Sequence, residues 1–453
     1  MTEMILRKLN DSKAFRWMAL IIVSFTMMCG YFITDIMAPL EDLLMRAYSW
    51  TSTEYGFFSG AYGWFNVIFL MLILGGIILD KMGVRFTGLM ACALMVAGTL
   101  IKAYAVSRYF PIGEDTVAGY KWQVAIAGLG FATFGMGVEI AGITVSKIIV
   151  KWFTGHELAL AMGLQVALAR VGTACALFFS LPLAKHFDEV SAPVWIGAVA
   201  LCIGAIAFLV YGVMDRKLDA SVAAADRGKE PEEGFRLSDI KLIVTNKGFW
   251  LIAILCVLFY SGVFPFLKFA TKLMIYKYGV AENLAGSIPG LLPFGTILLT
   301  PLFGSLYDRV GKGATLMLIG SVMLTLVHVL FALPVGNVWW FATSVMILLG
   351  IAFSLVPSAM WPSVAKIIPQ KQLGTAFSLI FYVQNWGLMG VPMLIGWLID
   401  RYARLPGEEL AYDYTAPMSA FALFGLLAIL FSLWLKAEDR KKSYGLERPN
   451  IRK

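Results

Sequence analysis

Charge is scarce in this sequence. Of 453 residues only 15% are Asp, Glu, Lys or Arg, while 59% are hydrophobic, a balance that excludes an ordinary soluble globular domain. Histidine is nearly absent: His156, His186 and His328 are the three present, and none has a ligand-type companion at helical spacing, so no metal is assigned. The five cysteines (Cys29, Cys92, Cys175, Cys202 and Cys256) fall inside apolar runs with no metal-type spacing and read as small core residues. No Walker-type phosphate loop and no GxSxG nucleophile occurs, which disfavours an ATP-driven pump; no enzyme activity and no cofactor are expected.

What the chain has in quantity is apolar runs of about 20 residues, which mark helices that cross a bilayer. Twelve can be counted, near 14–38, 54–79, 84–106, 122–151, 156–183, 190–212, 247–275, 283–306, 312–333, 337–366, 371–400 and 414–437. The first is followed by many others and reads as a transmembrane helix, not a cleaved signal peptide. The net charge of +8 is no nucleic-acid footprint. About 26 of the 37 Lys and Arg fall on one side of the membrane, about nine on the other and two inside, which places both termini in the cytoplasm by the positive-inside rule. The longest connection, Met214 to Asn246, is polar and charged and reads as a cytoplasmic linker. The expected domains are therefore residues 1–213 and 247–453, six helices each, joined by 214–246. The basic tail Lys436–Lys453 is expected to fray.

Two opposite charges lie deep within spans. Glu139 precedes Lys151 by 12 residues and Arg170 follows His156 by 14, with the turn of a helical hairpin between Lys151 and His156. At about 1.5 Å per residue these are depths of roughly 18 and 21 Å, close to the membrane midplane. Charge there is costly and marks a functional site by default. Two readings stay open: a structural ion pair holding the amino-terminal half together, or two groups that separate to grip the ends of a zwitterion.

The two halves echo one another. Gly76-x-x-x-Asp80-Lys81-x-Gly83-x-Arg85 follows span 2, and Gly304-x-x-x-Asp308-Arg309-x-Gly311-Lys312 follows span 8. Lys151, Leu158 and Ala161 match Lys366, Leu373 and Ala376 at a constant offset of about 215 residues, which carries Arg170 onto Asn385 and Glu139 onto Ser354. The repeated loop and the 6+6 layout closely resemble the major facilitator superfamily. Further motifs resemble the branch of that superfamily containing the lysosomal dipeptide transporter: Gly30-Tyr31-Phe32 with Asp35, Tyr62-x-Trp64-x-Asn66, Gly137-x-Glu139, Ala169-Arg170-x-Gly172, Val263-Phe264-Pro265-Phe266, Trp361-Pro362-x-Val364, Gln372-Leu373-Gly374-Thr375-Ala376 and Gln384-Asn385-x-Gly387-Leu388. The resemblance implies an all-α membrane protein with twelve transmembrane helices in two pseudo-symmetric six-helix bundles. It also associates Glu139 and Arg170 with dipeptide binding.

The expected function is a secondary transporter that moves small peptides by alternating access, with Glu139 on the ammonium and Arg170 on the carboxylate. Tyr62, Asn66, Trp361 and Asn385 are candidate lining groups, with helix–helix hydrogen bonds or interface aromatics as the plainer reading. Tyr31, Tyr260, Gln165, Phe264 and Tyr382 are further candidates. Asp35 reads as a second ammonium partner, a gate residue or a solvated helix end. Lys268 reads as a cavity-mouth residue or, slightly favoured, one that snorkels to the interface, and Lys272 as an interface anchor. Pro265 should kink span 7. Asp80, Arg85, Asp308 and Arg309 are read as a conformational latch rather than ligand contacts. One rival is an organic-anion or organophosphate exchanger using Arg170 and Lys268; another is a non-transporting membrane receptor. Proton coupling is left open, a monomer is expected, and an accessory subunit is admitted by the resemblance alone. No acidic dileucine sorting signal is evident, so a bacterial-type plasma (inner) membrane location is expected.

Overall fold

The computed structural model describes residues 9–111, 113, 115–153, 156–225, 237–369, 372–404 and 412–449. The tip of the 151–156 turn and the centre of the 214–246 connection lie outside the described residues. Among those described, eleven helices are long and apolar enough to cross a membrane. Twelve crossings result, because one of the eleven, Met71–Ala105, breaks at Gly83 (φ 77°, ψ 171°). Its first part completes span 2, and its remainder is span 3. Gly311 (φ 73°) holds the matching place in the second copy of the loop. Only glycine adopts these positive φ values without strain, so the repeated Asp-x-x-Gly spacing has a direct backbone cause.

Span 1 is Lys13–Asp35. Span 2 begins as Ser52–Gly60, opened by a capping box in which Thr51 and Glu54 exchange hydrogen bonds. It continues through a single turn at Ala61–Gly63 and through Trp64–Ile68, then breaks at Leu70 (φ 55°). Spans 4, 5 and 6 are Trp122–Phe153, Leu158–His186 and Ala192–Ala225. The last helix runs well into the expected linker, and a short helix at Leu237–Val244 precedes span 7. Spans 8, 9 and 10 are Ser287–Val310, Gly313–Ala332 and Trp339–Ile367, and spans 11 and 12 are Leu373–Leu398 and Thr415–Lys442.

Span 7 is two helices, Lys247–Ser261 and Phe264–Tyr276. Pro265 sits in the first turn of the second, where its missing N–H costs nothing, so the bend falls just before it at Gly262–Val263. The buried His328 ring donates from Nε2 to the Gly262 carbonyl (2.7 Å) at that break.

Through Pro449, the last described residue, the tail differs from the sequence expectation. After Ser443 (φ 56°) it folds back across the spans 8–9 loop. The Leu446 and Glu447 carbonyls accept from Gly313 N and Lys312 N, and the Glu447 carboxylate accepts from Thr315 N (2.9 Å) and Oγ1 (2.8 Å). Leu446 is fully buried. A leucine anchor and a carboxylate at a helix N-terminus explain why the segment from Ser443 to Pro449 packs here.

The halves touch closely on the face opposite the chain ends. Gly56 and Gly60 of span 2 lie so near the backbone of span 11 that a Cβ at either would collide with the Pro392 or Met389 carbonyl. Span 5 meets span 8 where Gly286 and Gly290 lie against Leu177 and Phe178. On the chain-end face, by contrast, a Cβ on Gly163, Gly304 or Gly374 would meet nothing within 4 Å.

Candidate functional site

Between the halves is a narrow cavity of about 80 Å³. Tyr31, Asp35, Tyr62 and Glu139 line it from the amino-terminal half, and Phe264, Lys268 and Gln384 from the other. Glu139 reaches it because Gly135, one turn earlier, lets span 4 press against the Tyr62 backbone. The Tyr62 hydroxyl donates to Glu139 Oε1 at 2.6 Å. The Asn385 side chain lies beside the same carboxylate. Asn66 Nδ2 donates to Asn385 Oδ1 (3.3 Å) and to the Gly135 carbonyl (3.4 Å), so a buried amide pair bridges the halves next to Glu139.

Arg170 is not paired with Glu139, nor, among the described residues, with any carboxylate within 4.0 Å. Its guanidinium lies instead against three aromatic faces, Tyr31 at 5.6 Å, Phe264 at 5.3 Å and Phe353 at 5.2 Å. Such contacts are worth about 0.5–2 kcal/mol each and use none of the hydrogen-bond donors of the group. They leave its edge N–H donors free for a planar, bidentate acceptor. Two of these rings, Tyr31 and Phe264, also line the cavity. The aromatic wall continues through Tyr260, 5.4 Å from Phe264, whose hydroxyl accepts from Trp361 Nε1 (3.3 Å).

A second group of charges joins the halves toward the face opposite the chain ends. Lys268 Nζ donates to Asp35 Oδ1 and to the Thr34 carbonyl, each at 2.7 Å. Lys268 therefore does not snorkel, and Asp35 is no solvated helix end; both are largely buried. Lys272, expected at the interface, is buried against Glu41 (3.2 Å) and Ser52 Oγ (2.8 Å). Arg46 pairs with Glu282 (2.8 Å), and Lys185 pairs with the same carboxylate. Asp400, at the end of span 11, accepts from Ser52 N (3.1 Å) and Thr53 N (2.5 Å) and so caps span 2 across the divide. These contacts seal that face.

The remaining sequence candidates separate from the cavity. Tyr382 donates to the Val67 carbonyl (3.5 Å), and Gln165 is half-buried outside the lining. On the chain-end face Asp80 pairs with Lys147 (2.5 Å), and Arg85 with Asp215 (3.1 Å) and Asp219 (2.6 Å), all inside the amino-terminal half. Arg309 is exposed.

The profile of the Major Facilitator Superfamily matches residues 20–387 and 266–452. The chain belongs to that superfamily. Its members' fold, two bundles meeting over a central cavity, accounts for the architecture above, and the chain is a transporter, not an enzyme. Among named relatives, the bovine "Lysosomal dipeptide transporter MFSD1" is 27% identical over 398 residues, 85% of this chain and 80% of the relative. The "D-galactonate transporter" of Escherichia coli O6:H1 is 23% identical over 446 residues, 92% of this chain and 95% of the relative. The crystal structure of a bacterial homologue of the human lysosomal transporter Spinster, in an inward-facing and occupied conformation, superposes with a TM-score of 0.69 at 15% identity, covering 95% and 98% of the two chains.

Within this superfamily fold, Gln384 in the cavity wall and two groups next to site residues, Phe353 against Arg170 and Lys102 near Asp35, were not sequence candidates. Gln384 stood in a quoted motif without a role. Phe353 is the residue before Ser354, the repeat counterpart of Glu139, so the repeat offset pointed one position away from it. Lys102, three residues from the end of span 3, looks in sequence like an interfacial lysine.

Proposed function

We propose that this chain is a secondary transporter for small peptides, dipeptides above all. The observation that carries the reading is the separation of Glu139 from Arg170. Each is held by its own neighbours, the carboxylate by Tyr62 and the guanidinium by aromatic faces, with Tyr31 close to both. A zwitterion of about 7 Å can bridge such a pair without first breaking an ion pair. Arg170 takes the terminal carboxylate as a fork while keeping its ring contacts, each charge-assisted hydrogen bond being worth about 1.5–3 kcal/mol. Glu139 takes the ammonium. The aromatic wall from Phe264 to Trp361 accommodates side chains by shape and not by polar readout. The name of the 27%-identical relatives supports the same substrate class.

Transport follows by alternating access. The sealed face is the external one, the chain-end face is cytoplasmic, and rocking the bundles exchanges the two. The membrane is a plasma membrane of bacterial type, and the working unit is the single chain of two bundles divided at 214–246. An organic-anion exchanger would need Arg170 and Lys268 free together, whereas Lys268 is held by Asp35 at 2.7 Å. Counterflow of labelled dipeptide in liposomes tests the reading. Accumulation driven by unlabelled dipeptide inside is expected; exchange of phosphate esters alone would identify an anion exchanger, and binding without flux a receptor.

A further inference from the structure

Lys102 is a fully buried lysine that the proposed function leaves unused. It lies in span 3 with no exposure at all, and among the described residues it has no carboxylate within 4.0 Å. An ammonium carries three donors, and here one of them reaches the Ile33 carbonyl at 3.0 Å. The rest of the group faces the rings of Phe131 (4.6 Å) and Phe134 (5.3 Å). A buried lysine so poorly satisfied is costly, so its place calls for a state in which it is needed.

The neighbouring charge supplies that state. Ile33 is two residues before Asp35, at the end of the same helix. Asp35 is held by Lys268, which belongs to the other half and also lies over Phe131, at 5.9 Å. Lys102 and Lys268 therefore flank one ring and grip successive carbonyls, those of Ile33 and Thr34, at one helix C-terminus. Lys102 is also within electrostatic reach of both Asp35 and Lys268. Asp35 and Lys102 travel together with the amino-terminal half, and Lys268 travels with the carboxy-terminal half. Opening the sealed face must withdraw Lys268 and would leave a buried carboxylate without its cation.

We propose that Lys102 is the standby counter-ion of Asp35: when the halves part, its ammonium turns from the Phe131 face to the Asp35 carboxylate. Asp35 then keeps a cation throughout the cycle, and the sealed face opens without stranding a charge. This rests on the alternating-access reading and is independent of the substrate.

The test is a pair of spin labels at Tyr109 and Val335, exposed positions on the two halves at that face, in a full-length chain with its five cysteines replaced. The unaltered chain should show a short and a long distance. Lys102→Met should deplete the long-distance population at least tenfold. Adding Asp35→Asn to Lys102→Met, which removes the carboxylate to be stranded, should restore that population to within threefold. An unchanged distribution in Lys102→Met overturns the proposal. If that variant does not fold, Lys268→Met decides. A standby cation predicts a stable protein with a larger long-distance population, and an unchanged or smaller one overturns the proposal. A single distance under every condition in the unaltered chain would defeat alternating access, and this inference with it.

Discussion

Lys272 and Glu41, 231 residues apart and on opposite halves, form an ion pair of 3.2 Å in which each side chain is only 1% exposed. Ser52 Oγ donates to the same Glu41 oxygen (2.8 Å), while the second oxygen is buried without a partner. Such a pair specifies geometry more than it stabilises, because desolvation offsets most of its Coulomb energy. It is well suited to a gate that must both close in register and open again. Removing one partner is different. Lys272→Met should disfavour the sealed state by about 3–5 kcal/mol, the typical cost of an orphaned buried charge. Glu41→Leu with Lys272→Met should recover most of that. Thiol labelling of a cysteine placed at Ser59, which lines the cavity, reads the difference: fast from the sealed face in the single variant, slow in the double.

Arg170→Ala should abolish uptake of free dipeptides, and Arg170→Lys should restore little, because a lysine presents a point charge and no fork. The loss should appear in dipeptide affinity measured by thermal shift as well as in flux. Full-rate uptake by Arg170→Ala would remove the carboxylate role.

Tyr62→Phe deletes the hydroxyl that donates to Glu139 at 2.6 Å without changing the ring. Hydrogen bonds to charged groups are worth about 1.5–3 kcal/mol, so dipeptide affinity should change by roughly 10–100-fold. Peptides with blocked amino termini should compete poorly against the unaltered protein and should be nearly insensitive to Tyr62→Phe. Equal competition by blocked and free peptides would take Glu139 out of the site.

The fold was legible because its signals are redundant. Apolar length gave the spans, and the repeated Asp-x-x-Gly loops gave the halves, with Gly83 and Gly311 both at positive φ. The candidate site stood out in the sequence where charge is out of place, at Glu139 and Arg170, whose roles as ligand contacts are the proposal above. It was illegible where a charge looks ordinary for its depth. Lys272 and Lys268 sit in the outer part of span 7, where an unpaired lysine would reach for the interface; what buries them is a carboxylate from the other half, at Glu41 and Asp35. The break at Leu70 carries no Gly or Pro to announce it. The ordered tail depends on Leu446 and Glu447 fitting a loop more than 130 residues away, as the 132-residue Thr315–Glu447 separation shows.

Asp80→Asn removes the acceptor that Lys147 holds at 2.5 Å, with both side chains 46% exposed. An exposed pair contributes little to stability, about 0–1 kcal/mol. The substitution should therefore change transport rate and leave dipeptide affinity within about threefold, if the loop acts when the chain-end face closes. A large loss of affinity at constant rate would contradict the latch role.

At the start of span 12 the Asp413 carboxylate accepts from Thr415 Oγ1 (2.6 Å) and N (2.9 Å). These hydrogen bonds, the hydroxyl first and the backbone N–H second, hold its pKa below the ordinary carboxylate value. A carboxyl whose folded pKa is depressed favours the folded state at pH values above its unfolded pKa, and that contribution disappears as pH falls through the folded pKa. Asp413→Asn should therefore lower Tm slightly near neutrality and converge with the unaltered protein below the carboxylate range. The same small Tm deficit at every pH would show that the loss is one of packing and not of charge. A Tm rising toward acid in the unaltered chain, measured against Asp413→Asn, would reverse the sign and refute the assignment.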